Sequence, residues 1–192
     1  MKEKTRMRES GGASLLQAGV IDSVSGVLPR ETIWNLIQTE PNLISGLLDP
    51  QAQLQPCGVD VTLGAVFQLT EGGRLGVDER RVPDRIALAF DFWGWLQLAA
   101  GPYVIQFNET VRLPLDVMAL GRPRSTLLRC GATLHTAVWD AGYGGRSECL
   151  LTVENPAGIE LQKDARIMQL VFFRMEQPTE AGYSGRYQGE NL

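Results

Sequence analysis

Apolar residues recur at helical spacing early in the chain. In "LPRETIWNLIQTEPNLISGLL", Ile33, Trp34, Leu36 and Ile37 fall at i, i+1, i+3 and i+4 and share one face, which predicts a helix. Pro41 interrupts that pattern and is expected to open a second short helix at its first position. Beyond Asp49 the period changes from helical to alternating. The runs "VDVTLGAVFQL", "YVIQFNETVRL", "VMALGRP", "ECLLTVENP" and "RIMQLVFF" are rich in Val, Leu, Phe and Thr and are separated by Gly, Pro, Asn and Asp. Short alternating strands between such turns predict a mainly β sandwich or barrel, preceded by one or two short helices. "TEGGRLGVDERRVPDR" reads as an exposed hairpin and "DFWGWLQLAAGPY" as a turn-rich excursion.

The whole of 192 residues is enough for one domain with a full core. Residues 1–25 begin with the polar "MKEKTRMRESGG" and read as a loose extension, 26–176 as the β domain, and 177–192 as a mobile, glycine-rich tail. No apolar run reaches the roughly 20 residues that span a bilayer, and no signal-peptide segment follows the polar start, so the expectation is a cytoplasmic protein without a membrane partner. A net charge of −4 argues against a general nucleic-acid binder, though a phosphorylated small molecule needs only a few local arginines. Cys57, Cys130 and Cys149 form no CxxC, and His135 is the single histidine. A disulfide framework or a Cys/His zinc centre is therefore not expected, and the cysteines read as small core residues.

The stretch "LHTAVWDAGYGGRSECLLTVENP" places Asp140 between Trp139 and a turn ending in Tyr143. Asp140 either starts that turn or holds a water against a substrate. In "GRPRSTLLRCG", Arg124, Ser125, Thr126 and Arg129 offer several donors and two fixed positive charges, which suits a polyphosphate. A surface turn with solvated arginines is the plainer reading of the same block. In the tail, Tyr183, Arg186, Tyr187 and Gln188 join aromatic faces and a cation to glycine hinges. Such a segment can fold over a nucleotide, and a disordered terminus is its plainer reading.

Together the blocks "CGVDVTL", "PRSTLLR", "AVWDAGYGGR", "ARIMQLVFF" and "GYSGRYQG" resemble, in order, the motifs of the dUTPase and dCTP deaminase superfamily. "GPYVIQFNETVRLP" is similar to the segment before its Arg-Ser motif. The resemblance covers roughly residues 43 to 190, and "TAVWDAGY" is most like archaeal-type dUTPases.

The resemblance implies a distorted barrel or jelly roll of the dUTPase type. It implies homotrimers with sites at subunit interfaces, dUTP as substrate, and Mg²⁺ held mainly by the phosphates and waters. Asp140 would orient a water on the α-phosphorus, and Ser125 would donate to the leaving oxygen. Arg124, Thr126, Arg129 and Gln169 would bind the phosphates. Tyr143 would pack under the deoxyribose, and the backbone of Thr136, Ala137 and Val138 would read the uracil edge. Tyr183, Arg186, Tyr187 and Gln188 would close over the nucleotide. Asp60 would contact substrate or brace the site. His135 is expected on a strand near the base, and Trp139 in packing. The deaminase branch instead uses a glutamate ten residues after the motif aspartate, where this chain has Leu150; Glu148 and Glu154 are nearby but out of step. That favours a hydrolase over a deaminase. A nucleotide-dependent regulatory protein, with Trp93 and Trp95 on a partner surface, is the non-enzymatic alternative.

Overall fold

The computed structural model describes residues 25–192; the expected N-terminal extension lies, but for its last residue, outside them. The first helix, α1, spans Arg30–Gln38 and buries Ile33 and Ile37. Trp34, expected on the same face, is 40% exposed. Pro41 follows a cis peptide bond and opens no helix. The second helix, α2, is Pro50–Gln53 instead. Asp49 caps it, accepting from the backbone N–H of Gln51 and Ala52 at 3.1 Å each, and Pro50 needs no N–H partner at the first position. The proline signal was right in kind but belonged nine residues later.

The alternating runs form a curled antiparallel sheet. Its main strands are β1 (Gly58–Leu69), β2 (Gly101–Phe107), β3 (Val117–Pro123), β4 (Ala132–His135), β5 (Glu148–Val153) and β6 (Arg166–Arg174). They pair in the order β3, β6, β1, β2, β5, β4. After β4 the chain turns back, and Trp139 bridges to Ala119 of β3. The segment after the last strand thereby touches the first, and the mainly β fold is, as expected, barrel-like: a sheet curled into a half-barrel. The register shifts between Leu63 and Ala65 in the pairing of β1 with β2, and between Arg166 and Met168 in the pairing of β6 with β1. Such irregularities bend strands and help the sheet to curl.

Alternate residues fill the barrel. On β5, Cys149, Leu151 and Val153 face inward while Leu150 faces out. The exposed hairpin of the sequence pairs Arg74–Leu75 with Arg80–Arg81. Of the cysteines, only Cys149 is in the core; Cys57 and Cys130 are exposed, Cys130 because it ends α3 (Ser125–Arg129) at the surface. Among the described residues no helix is long and apolar enough to cross a membrane.

A buried polar knot joins α2 to the barrel. Glu109 is 1% exposed and accepts from Thr62 N (2.9 Å), Thr62 Oγ1 (2.7 Å) and Gln53 Nε2 (2.7 Å). Burial pushes its carboxyl above the ordinary carboxylate range. Glu109→Ala would strand the Thr62 N–H and part of the Gln53 amide without acceptors in the interior. It should lower the unfolding free energy in urea by about 3 kcal/mol. A loss below ~1 kcal/mol would mean water substitutes for the carboxylate.

Candidate active site

The principal cleft, about 640 Å³, opens beside the segment that follows β4. Ala137, Val138, Trp139, Asp140 and Tyr143 form one wall. The local fold follows from the sequence. Trp139 is anchored by two backbone hydrogen bonds to Ala119 (2.9 and 3.1 Å), and the Tyr143 N–H closes a turn onto the Asp140 carbonyl at 3.1 Å. Trp139 (5% exposed) and Tyr143 (6%) are buried, which leaves Asp140 between them as the exposed, polar member. Asp140 thus does start a turn, and it also lines a cleft. The two readings of its sequence setting are not exclusive.

The tail forms a second wall. Its composition reads as mobile, yet the structure docks it on residues 141–148. Tyr183 N donates to Ala141 O (2.8 Å) and Gly189 N to Gly144 O (2.8 Å), while Arg146 N donates to Glu190 O (2.9 Å). The Gln188 amide spans Gly144 N (3.0 Å) and Gly142 O (3.1 Å). The Tyr143 and Tyr183 rings meet edge to face at 5.7 Å. Gly142 is required for this docking: it has φ +83°, and a Cβ there would lie 2.6 Å from Gly182 Cα. Tyr183, Arg186 and Tyr187 line the cleft; Gln188 acts through its backbone contacts.

The third wall was not foreseen. Arg85 comes from the short strand Arg85–Ala87 beside β1 and grips Glu148 with both terminal guanidinium nitrogens, Nη2 to Oε1 at 2.7 Å. Arg85 also lies over the Phe67 ring at 4.2 Å. Glu148 Oε1 further accepts from Gln106 (3.3 Å) and Asn191 (3.1 Å). Glu148 is two residues from Leu150 and shares its outward face, so it reaches the cleft without any register shift, contrary to the sequence expectation. Its oxygens are committed to four donor groups. No local pattern signals a pair 63 residues apart.

The arginine-serine block lies elsewhere. Arg124, Ser125, Thr126, Arg129 and Gln169 are absent from the cleft wall, as are Thr136 and His135. Thr136 is the residue before that wall; His135, as expected, ends a strand. Arg124 follows β3, and Ser125 begins α3. From Ala119, which pairs with Trp139, to Ser125 is a run of six residues, up to about 20 Å at extended spacing. Arg124 Nε is 3.2 Å and Arg166 Nη1 3.4 Å from Asp60 Oδ2. Asp60 is 2% exposed and cross-strand to Gln169. Burial raises its carboxyl above the ordinary range, against the pull of both arginines. Asp60 therefore braces Arg124 from below rather than facing solvent. Arg124 is thus paired with Asp60, which lies across from Gln169, and Ser125 follows Arg124 at the start of α3.

Comparison with known proteins agrees with this architecture. A family model described as dCTP deaminase-like matches residues 27–175. A Methanosarcina mazei protein named "Probable deoxyuridine 5'-triphosphate nucleotidohydrolase" is 47% identical over 167 residues, 86% of this chain and 98% of the relative. One of the same name from Archaeoglobus fulgidus is 48% identical over 166 residues, again 86% of this chain and 98% of the relative. The solved 2'-deoxycytidine 5'-triphosphate deaminase of Agrobacterium tumefaciens superposes with a TM-score of 0.60 at 21% identity, covering 78% of this chain and 48% of that one, a likeness of fold. With the barrel, the motif order and the family model agreeing over most of its length, the chain belongs to the dCTP deaminase-like family.

Proposed function

We propose that the protein hydrolyses dUTP to dUMP and pyrophosphate. The single observation that carries this reading is the cleft in which exposed Asp140 stands beside Tyr143 and the tail's Tyr183, Arg186 and Tyr187. The archaeal relatives named as nucleotidohydrolases support it. The Asp140 carboxylate accepts from a water and from the sugar 3′-hydroxyl and so aims the water at the α-phosphorus. Water adds there, the bridging oxygen leaves with pyrophosphate, and Ser125 donates a hydrogen bond to that oxygen. Positioning and charge neutralisation supply most of the catalysis in such displacements. The backbone of Ala137 and Val138, which line the cleft, reads the base edge together with that of Thr136. Arg186 meets the γ-phosphate and Tyr187 covers the base.

Mg²⁺ fits this donor set. Among the described residues no three His, Cys, Asp or Glu side chains gather into a cage, while a triphosphate brings its own hard oxygens. The phosphates and waters would be its main ligands, and bound there it neutralises phosphate charge.

Arg124, Ser125, Arg129 and Gln169 do not line the cleft, which supports a site shared between copies of the chain. One copy supplies the nucleoside cleft and another the phosphate group, which fits a homotrimer. Sedimentation should show about three chains per particle; a strict monomer at micromolar concentration would contradict sharing.

The deciding experiment is incubation with dUTP, dCTP and UTP in Mg²⁺, followed by chromatography. The expected result is dUMP and pyrophosphate from dUTP, with UTP and dCTP nearly untouched. Release of ammonia from dCTP would favour the deaminase reading, against which the saturated Glu148 stands. Absence of pyrophosphate from any deoxynucleotide would favour a binding role.

A further inference from the structure

Three buried polar atoms behind Asp140 form a chain that ends on the tail. Trp139 Nε1 donates to Ser147 Oγ at 2.6 Å. Ser147 Oγ lies 3.0 Å from the Tyr143 hydroxyl, which donates to Glu190 Oε1 at 2.8 Å. Proton counting fixes the direction throughout. An indole N–H only donates, and an ionised carboxylate only accepts. Tyr143 has one proton and gives it to Glu190, so Ser147 must give its own to Tyr143. The chain runs Trp139, Ser147, Tyr143, Glu190 without a break, and each bond polarises the next.

The two aromatic members flank Asp140. Trp139 is its neighbour in sequence, and Tyr143 N is bonded to its carbonyl at 3.1 Å. Ser147 is 4% exposed, so solvent is a poor substitute for these bonds. Glu190, by contrast, belongs to a segment that packs on the barrel rather than in it.

We infer that Glu190 is a positioning residue for Asp140: its carboxylate, delivered when the tail docks, terminates the Trp139–Ser147–Tyr143 chain and fixes the walls that hold Asp140. This inference rests on the dUTP-hydrolysis reading. It gives the tail a second task beyond covering the nucleotide, because docking then sets the geometry of the carboxylate that aims the water.

The test uses the full chain. Glu190→Ala should lower kcat on dUTP roughly 10-fold with KM changed much less, as expected for loss of a hydrogen bond to a charged group. Glu190→Gln keeps the Oε1 acceptor and should stay within about 3-fold of wild type. Ser147→Ala should lower kcat comparably, and the Glu190→Ala/Ser147→Ala double variant should be little worse than either single one, because both cut one chain. Without nucleotide, Ser147→Ala should also speed proteolysis of the tail, although Ser147 is bonded to no tail residue. Wild-type kcat in Glu190→Ala, additive losses in the double variant, or unchanged tail proteolysis in a folded Ser147→Ala protein would each overturn the inference. An inactive wild type would remove the hydrolase reading, and the proteolysis arm would still decide whether the chain couples Ser147 to the tail.

Discussion

Asp140→Asn is expected to lower kcat on dUTP by about two orders of magnitude or more while nucleotide binding changes far less. The substitution keeps size and the local turn, since Tyr143 N bonds the backbone carbonyl of residue 140 and not its side chain. What it removes is the charge and one acceptor oxygen. An amide can still accept one hydrogen bond but presents an N–H where the water or the 3′-hydroxyl must donate. Because Asp140 is exposed at the rim, no buried partner is stranded and the fold should be unaffected. Stopped-flow turnover beside equilibrium binding of a non-hydrolysable dUTP analogue separates the two effects. A variant with near-normal kcat would reduce Asp140 to a turn residue.

Removal of residues after Ala181 is expected to abolish most turnover, about 100-fold or more in kcat/KM, and to leave the urea midpoint and the particle size unchanged. The truncated chain lacks Arg186 and Tyr187 and leaves the Tyr143 hydroxyl without its carboxylate acceptor. Barrel strands β1–β6 pair only with one another and with short strands before residue 175, so none loses a partner. The tail is held on the barrel by backbone bonds to Ala141, Gly144 and Arg146. Closure on a nucleotide therefore need not supply the full ordering cost, about 1 kcal/mol per residue, that a free tail would carry. A truncated enzyme running at the full rate would show that the cleft works open.

The sequence made some of this legible for definite reasons. Alternation over β5 survives because one face is buried, and Ile33 and Ile37 keep helical spacing, whereas the first half of β1 is buried on both faces, its polar Asp60 and Thr62 included. The segment at Asp140 was visible because an acidic residue between Trp139 and a glycine turn is unusual, and because five blocks kept their order. Pro41 misled because a proline fits the first position of a helix without by itself starting one; at Pro50 the Asp49 side chain supplied a cap as well. The docking of the tail was hidden in its glycines. At Gly142 and Gly182 they permit backbone to pass against backbone, whereas composition reads them as freedom. Arg85, Ser147 and Glu190 escaped notice altogether. Arg85 and Glu190 find their partners more than 40 residues away, and Ser147 becomes informative only when Trp139 and Tyr143 are seen on either side of it.

The most direct test of a dUTP-hydrolysing site built from two copies is complementation between inactive chains. Asp140→Asn and Ser125→Ala proteins, each inactive alone, are co-expressed or refolded together at equal amounts and assayed for dUMP. If Asp140 of one copy works with Ser125 of another, random assembly leaves about one site in four intact, and roughly a quarter of wild-type turnover should return. Recovery of no activity from mixed particles, with the wild type active under the same conditions, would contradict the shared site.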